Sequence, residues 1–474
     1  MSKRTQTFSL STAVFVLLLL ILLPVLVNLT QAVTRLITRA AGKPANIAID
    51  TQKTIGAISN PWLTFSQGGE GPHLIEAAAD TIKRLSPRAI RLDHVFDHYN
   101  LVGRDTNGQL TLDFSDLDRD VKAITAVGAL PFFSLSYMPP ALSDNGTVTG
   151  KPRDWNEWAY ITQLFIEHYS GKNNLNLTDV YYEVWNEPDL FGSWKLQGDK
   201  NYLTLYEFTS RGAQAAQNVN QFKLGGPATT QPYKNWILGL TEHVRNKSLR
   251  LDFISWHRYD KNPKQYAQDA LDVTRWLFYK TEFVGLPKVV SEWGYTSELD
   301  SAYDTNVSAA HTLAVARETL AGYDMLMGFE LVDGKNQHDA PLWGRWGLLT
   351  HPSVGGNPKP RYFAYQLLAQ LNGSRLLVEG EGTWVRAIAT YTNETIKLLV
   401  TNYDSDERNI ETVPIRFFNL KKDAYQIRRT GLDGKTITQT LAATNQQLTL
   451  DILLPSNGAY LIELTPFESP FLGN

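Results

Sequence analysis

Between Thr54 and Leu371 the chain alternates short runs rich in β-branched and aromatic residues with longer stretches whose apolar residues recur every three or four positions. The candidate strands read TIGAIS, AIRLDHVFD, LPFFSLSY, DVYYEVWNE, FKLGGPA, LDFISWHRY, KVVSEWGYT and MGFELVD. Leu74–Leu85, Trp155–His168, Tyr202–Asn218 and Ala309–Ala321 are among the helical segments between them. A helix between consecutive strands returns the chain to the end where it started, so the strands run parallel. Eight such units over roughly 320 residues predict a closed (β/α)8 TIM barrel. The competing open, doubly wound sheet more typically carries a Gly-rich phosphate loop after its first strand, and none follows TIGAIS.

Beyond Leu371 the pattern changes. TWVRAIATY, TIKLLVTNY, TVPIRFFNL, AYQIRRTG, LTLDILL and AYLIELT are short, alternating and separated by turn signals such as Asp433-Gly434 and Asn457-Gly458. No helical period intervenes, which predicts a C-terminal antiparallel β-sandwich of about 100 residues. ANIAID, ahead of the barrel, is a candidate extra strand for it. At the amino terminus Lys3 and Arg4 precede an uncharged run, Ala13–Leu29, which meets the lower length for a membrane-spanning helix (about 17 residues). It reads as a retained transmembrane signal anchor in preference to a cleaved signal peptide. Either places the rest of the chain outside the cytoplasm. The expected organisation is residues 1–42 as signal segment and connector, 43–372 as barrel and 373–474 as sandwich.

Composition narrows the chemistry. A net charge of -3 offers no basic field for nucleic acid. With no cysteine, thiolate metal sites and a cysteine nucleophile are excluded. No H-E-x-x-H spacing points to a metal and no G-x-S-x-G elbow to a Ser-His-Asp hydrolase, and no cofactor is expected. In barrel enzymes chemistry sits where strands pass into βα loops, and two carboxylates stand there: Glu187, closing YYEVWNEP, and Glu292, in KVVSEWGY. They belong to the predicted fourth and seventh strands, which converge on one barrel mouth. Breaking an acetal needs a proton for the departing oxygen and a stabiliser for the oxocarbenium-like centre, and two carboxyls supply both. Either one alone reads equally well as a solvated or salt-bridged group. Asn186 offers an amide to a sugar hydroxyl, or forms a turn before Pro188.

The wider sequence is similar to glycoside hydrolase family 39, a clan A family that includes β-xylosidases and α-L-iduronidases. VWNEPDLFGSW through LGGPATT resembles its acid/base segment, LSYMPPALS the segment after its third strand, DFISWHRY its sixth strand and VVSEWGYTS its nucleophile strand. NPKPRYFAYQLLAQL resembles its closing helix, and the likeness runs from about residue 50 to the end. The resemblance implies Glu187 as acid/base and Glu292 as nucleophile of a retaining enzyme. It gives His257 and Tyr259 the task of contacting the sugar or orienting Glu292, against a core aromatic pair. Arg91 would hold a carboxylate ionised or pair with a buried Glu183, and Trp343 would be a sugar platform or core. Xylosidase-type members carry His-Gly where this chain has Asp93-His94, and a tryptophan where it has Phe329, so Asp93 and Phe329 would alter the glycone pocket. A carbohydrate is the expected partner, hydrolysis or transglycosylation the expected reaction, and a non-catalytic carbohydrate-binding surface protein the alternative.

Overall fold

The computed structural model describes residues 42–467 except 69, 70, 337 and 339. The expected signal anchor lies outside these residues. Among those described, no helix is long and apolar enough to cross a membrane.

Eight parallel strands close into a barrel, each pairing with its neighbours in chain order and the last with the first. They are Thr64–Gln67, Ala89–Leu92, Leu130–Leu135, Val180–Val184, Phe222–Thr229, Phe253–Tyr259, Lys288–Gly294 and Met325–Phe329, called here the first to the eighth. Helices on the outside cover the apolar outer faces. The barrel's lower end is plugged by Ala89, Phe132, Phe253, Val289, Met325 and Met327. Phe132 stacks on Tyr181 at 5.3 Å between ring centroids and tilts against Phe253 at 5.6 Å. The barrel is therefore solid at its base, and any ligand must enter from the carboxyl ends of the strands.

TIGAIS is not the first barrel strand. Thr54–Ala57 closes a longer strand, Ile47–Ala57, in the other sheet, and its residues from Gln52 onward are exposed. TFSQ takes the barrel position, with all four residues buried. Barrel strands need burial on both faces, which the exposed segment lacks. The polar side chains of TFSQ hide its strand character because they face a polar layer of the interior.

The second unit is one hydrogen-bonded sheet of nine strands in the order Thr436–Ala442, Ala424–Gly431, Ala459–Pro466, Thr395–Asn402, Val385–Thr392, Ser374–Glu379, Ile47–Ala57, Glu411–Phe418, Leu448–Leu454. It curls, so that Ile427 near one edge and Leu450 at the other share a single apolar core. The expected antiparallel pattern has one exception, the parallel pairing of Ile47–Asp50 with Ile415–Phe418. That exception arises because the strand comes from the amino-terminal side of the barrel. Arg317 makes two 2.8 Å bonds to Glu381, and Arg386 reaches Glu318 at 2.7 Å, tying this sheet to the helix Asn306–Glu318.

Ile47–Ala57 lies inside the sheet order, with Ile47 and Ile49 fully buried. Replacing either isoleucine by alanine should cost about 2–4 kcal/mol, read as a lower denaturation midpoint in urea. A chain beginning at Ile58 should be recovered only as aggregate, while one beginning at Gly42 should fold.

Candidate active site

Period-two alternation carries the plug at the base into an ionic layer above it. Ala89 leads to Arg91, Tyr181 to Glu183, and Phe253 through Ser255 and His257 to Tyr259, each on the inward face. The seventh strand breaks the count. Val289 pairs with Ser255 and Val290 with Trp256, but Glu292 pairs with His257, so Ser291 is an extra residue, a bulge. Strict alternation from Val289 would turn Glu292 outward. The bulge returns it to the inward face beside His257.

Arg91 is fully buried and sits at the centre of this layer. Its Nε donates to Glu183 Oε2 at 2.8 Å, Nη1 to Glu292 Oε1 at 2.9 Å and to Ser66 Oγ at 3.2 Å, and Nη2 to Asn186 Oδ1 at 2.7 Å. Arg91 thus pairs with the buried Glu183 and bonds Glu292 as well. Glu292 also accepts from Tyr259 Oη at 3.0 Å, so each of its oxygens is held. His257 Nδ1 lies 2.9 Å from Glu187 Oε1 and 3.5 Å from Glu292 Oε2, bridging the two carboxyls.

Glu187 stands three residues past the fourth strand on a strained turn. Trp185 has φ 71° and Glu187 φ 45°, left-handed values that non-glycine residues rarely adopt. Local bonds hold the strain. Ser134 Oγ donates to the Trp185 carbonyl at 2.9 Å, Trp185 Nε1 to the Phe191 carbonyl at 3.0 Å, and the Glu187 N–H to the Ala228 carbonyl at 3.0 Å. Asn186 is held from both ends of its amide, because Nδ2 donates to Tyr137 Oη at 2.8 Å while Oδ1 accepts from Arg91.

Burial dominates the electrostatics. It raises the Glu292 carboxyl above its ordinary range, with His257 and Arg91 pulling back and Glu187 and Asp93 pushing further. Burial also lowers His257, but Glu292 and Glu187 outweigh it and hold the imidazole above its usual value. Asp93 is raised by burial against the pull of His94 and Arg91. That favours a neutral carboxyl, which donates as well as accepts. Glu187, His257 and Glu292 present ligand atoms within 4.8 Å of one another, a spacing that a metal ion would tolerate. The Arg91 guanidinium already occupies Glu292, and its charge opposes a second cation there. The group is better suited to sharing a proton.

The structure brings Arg91, Asn186, Glu187, His257, Tyr259 and Glu292 into one bonded set. Asp93 adjoins it through charge, one of its oxygens being buried without a partner. Phe329 is buried rather than open, edge-on to Tyr259 at 6.4 Å and to Trp346 at 5.6 Å. Trp343 lies at the surface. It is 44% exposed on the hairpin after the eighth strand and meets Trp346 at 6.0 Å. Sequence reasoning missed Tyr137, which bonds Asn186, and Trp346, which links Trp343 to Phe329. The position of Tyr137 just past the third strand was the signal available.

The model of glycosyl hydrolases family 39 matches residues 45–422, more than half of the chain. A β-xylosidase of Caldicellulosiruptor saccharolyticus is 25% identical over 352 residues, 69% of this chain and 70% of that protein. One of Geobacillus stearothermophilus is 25% identical over 299 residues, 57% of this chain and 58% of the relative. The crystal structure of a monomeric β-xylosidase from Caulobacter crescentus CB15 superposes with a TM-score of 0.75 at 21% identity, covering 90% of this chain and all (100%) of the other.

Glu183→Ala would leave Arg91 buried with one carboxylate fewer and should cost about 3 kcal/mol or more. Glu183→Gln, which keeps an acceptor, should cost less. Urea denaturation of the two variants beside the wild type checks the order.

Proposed function

This chain belongs to glycosyl hydrolases family 39 and is a glycoside hydrolase; from that premise we propose that it cleaves O-glycosidic bonds with retention of configuration, through a glycosyl-enzyme on Glu292. The observation that carries the reading is the spacing of the carboxyls. A Glu187 oxygen and a Glu292 oxygen lie within 4.8 Å of one another. Retaining enzymes hold their carboxyl groups about 5–5.5 Å apart, whereas inverting enzymes leave about 6.5–9.5 Å for a water.

The partners of each carboxyl support the division of labour. Glu292 receives Arg91 and Tyr259 on separate oxygens, which orients it and favours the ionised form that attacks the anomeric carbon. Glu187 has His257 on one oxygen, leaving the other to protonate the departing oxygen. Esterification of Glu292 then removes its charge, and Glu187 takes a proton from the incoming water. Asn186, its amide turned by Arg91 and Tyr137, offers its remaining N–H toward the glycone. Asp93 and Phe329 shape the glycone side, and Trp343 offers a platform at the rim. The apolar run Ala13–Leu29 supports an extracytoplasmic glycan or oligosaccharide as substrate.

A panel of aryl glycosides tests this, with β-xyloside, α-L-arabinoside, β-glucoside, β-galactoside and a uronide. The expected result is turnover of at least one, the first-formed product keeping its anomeric configuration by NMR. Glu292→Gln should lower kcat by about a thousandfold or more. An inverted first product would reject the mechanism.

Glu292 must be ionised to attack, so activity is lost as pH falls through its raised pKa. Tyr259→Phe removes a bond donated to the ionised form and should move the acid limb of kcat/KM to higher pH, by about 1 unit. A limb that stayed in place would show that Tyr259 does not tune Glu292.

A further inference from the structure

Four residues beyond Glu187 the chain leaves an aromatic ring in solvent. Phe191 is 43% exposed and its neighbour Leu190 58%, whereas Asn186, Glu292 and Glu187 are 4%, 5% and 9% exposed. Within five residues the chain thus passes from a buried carboxyl to an exposed apolar pair. The ring is not on a loose loop. The Leu190 and Phe191 N–H groups both donate to the Glu187 carbonyl, at 2.9 and 2.7 Å, and the Phe191 carbonyl accepts from Trp185 Nε1. The ring packs edge-on to Tyr137 at 5.8 Å, the same tyrosine that holds Asn186. One short turn therefore fixes the ring relative to the Glu187 carboxyl.

An exposed aromatic ring held by its turn and by a ring contact beside the buried carboxyls offers a face to a ligand's C–H surface. We propose that Phe191, with Leu190 beside it, is the leaving-group subsite, the surface against which the C–H face of the departing sugar rests. The assignment depends on the retaining reading above. In that reaction a Glu292 carboxylate oxygen forms a bond to the anomeric carbon. The bond from that carbon to the leaving oxygen breaks, its electron pair stays on the oxygen, and the proton of Glu187 joins it. The departing sugar thus begins within hydrogen-bond reach of Glu187, about 2.6–3.2 Å, on the turn that carries Phe191. It cannot lie on the opposite side, toward Arg91, Ser66 and Glu183, which are fully buried. Trp343 follows the eighth strand, half a barrel from the fourth, and so belongs to the other wall of the mouth.

The test compares substrates that share a glycone but differ in what leaves. The pairs are β-xylosyl fluoride with xylobiose, β-glucosyl fluoride with cellobiose, and β-galactosyl fluoride with lactose, read on the pair that the wild type turns over. Fluoride is too small to reach Phe191, while the second sugar of each disaccharide must pass it. In Phe191→Ala the ratio of kcat/KM, disaccharide over fluoride, should fall about tenfold. In Phe191→Tyr, which keeps the ring, it should return to within about twofold of wild type. An unchanged ratio in Phe191→Ala, whatever the absolute rates, overturns the subsite and leaves the hydrolase reading intact. A wild type that turned over none of the pairs while cleaving an aryl glycoside would also overturn it, because no departing sugar would then be accepted. Failure on every fluoride, disaccharide and aryl glycoside would overturn the hydrolase reading and the subsite together.

Discussion

The barrel's upper interior depends on one buried cation. Arg91 has no access to water, and a guanidinium in that position is tolerable only if its donors are met by charge and by well-placed oxygens. It finds them on the first strand (Ser66), the fourth (Glu183), the loop beyond it (Asn186) and the seventh (Glu292). Those elements lie on several sides of the ring of strands, so a single side chain sets the positions of groups that the backbone ladder alone leaves independent. The planar fork matters, since a lysine has neither the reach nor the geometry to serve four acceptors at once.

The same cation leaves the site with a proton to place. Arg91 and His257 face Glu183, Glu187, Glu292 and Asp93, so full ionisation of the carboxyls would bury an excess of negative charge. Burying such an excess is costly, and the relief is a retained proton. Arg91, bonded to Glu292, opposes the upward pull of burial on that carboxyl. Asp93, whose carboxyl is raised by burial, is a natural holder.

Much of this was legible in the sequence because it follows from period. Seven of the eight barrel strands, both catalytic candidates and the inward set His257 and Tyr259 come from alternation read against strand ends. The remaining one, TFSQ, the first strand, escaped because only Phe65 joins the apolar core while its other side chains are polar, and an apolar-run criterion looks past it. The bulge at Ser291 escaped for a different reason. Whether an extra residue is accommodated depends on the pairing partner across the ladder, which one strand's sequence does not contain. Asn186 illustrates the third limit. Its residue type suggested a hydrogen bond, but the partners, Arg91 and Tyr137, lie 95 and 49 positions away. Trp343 was marked by chemistry alone, and chemistry does not reveal depth.

The second sheet has a structural part in the site even though it adds no group to it. The helix Asn306–Glu318 follows the strand that bears Glu292, and its residues from Val307 to Ala316 are all buried. A barrel helix ordinarily keeps one face in water and shows it as amphipathic spacing. Here the outer face is covered by the sheet, and at the helix's far end Arg317 and Glu318 are pinned by Glu381 and Arg386. Near the helix start, His311 bonds the carbonyl of Asp260, directly after Tyr259, and packs against Tyr403 of the sheet at 5.3 Å. Tyr403 in turn bonds the Lys261 carbonyl at 2.6 Å. The sheet thus braces the helix behind Glu292 and the loop behind Tyr259, the two elements whose relative position sets the Tyr259–Glu292 bond. Loosening that contact would reach Glu292 through packing.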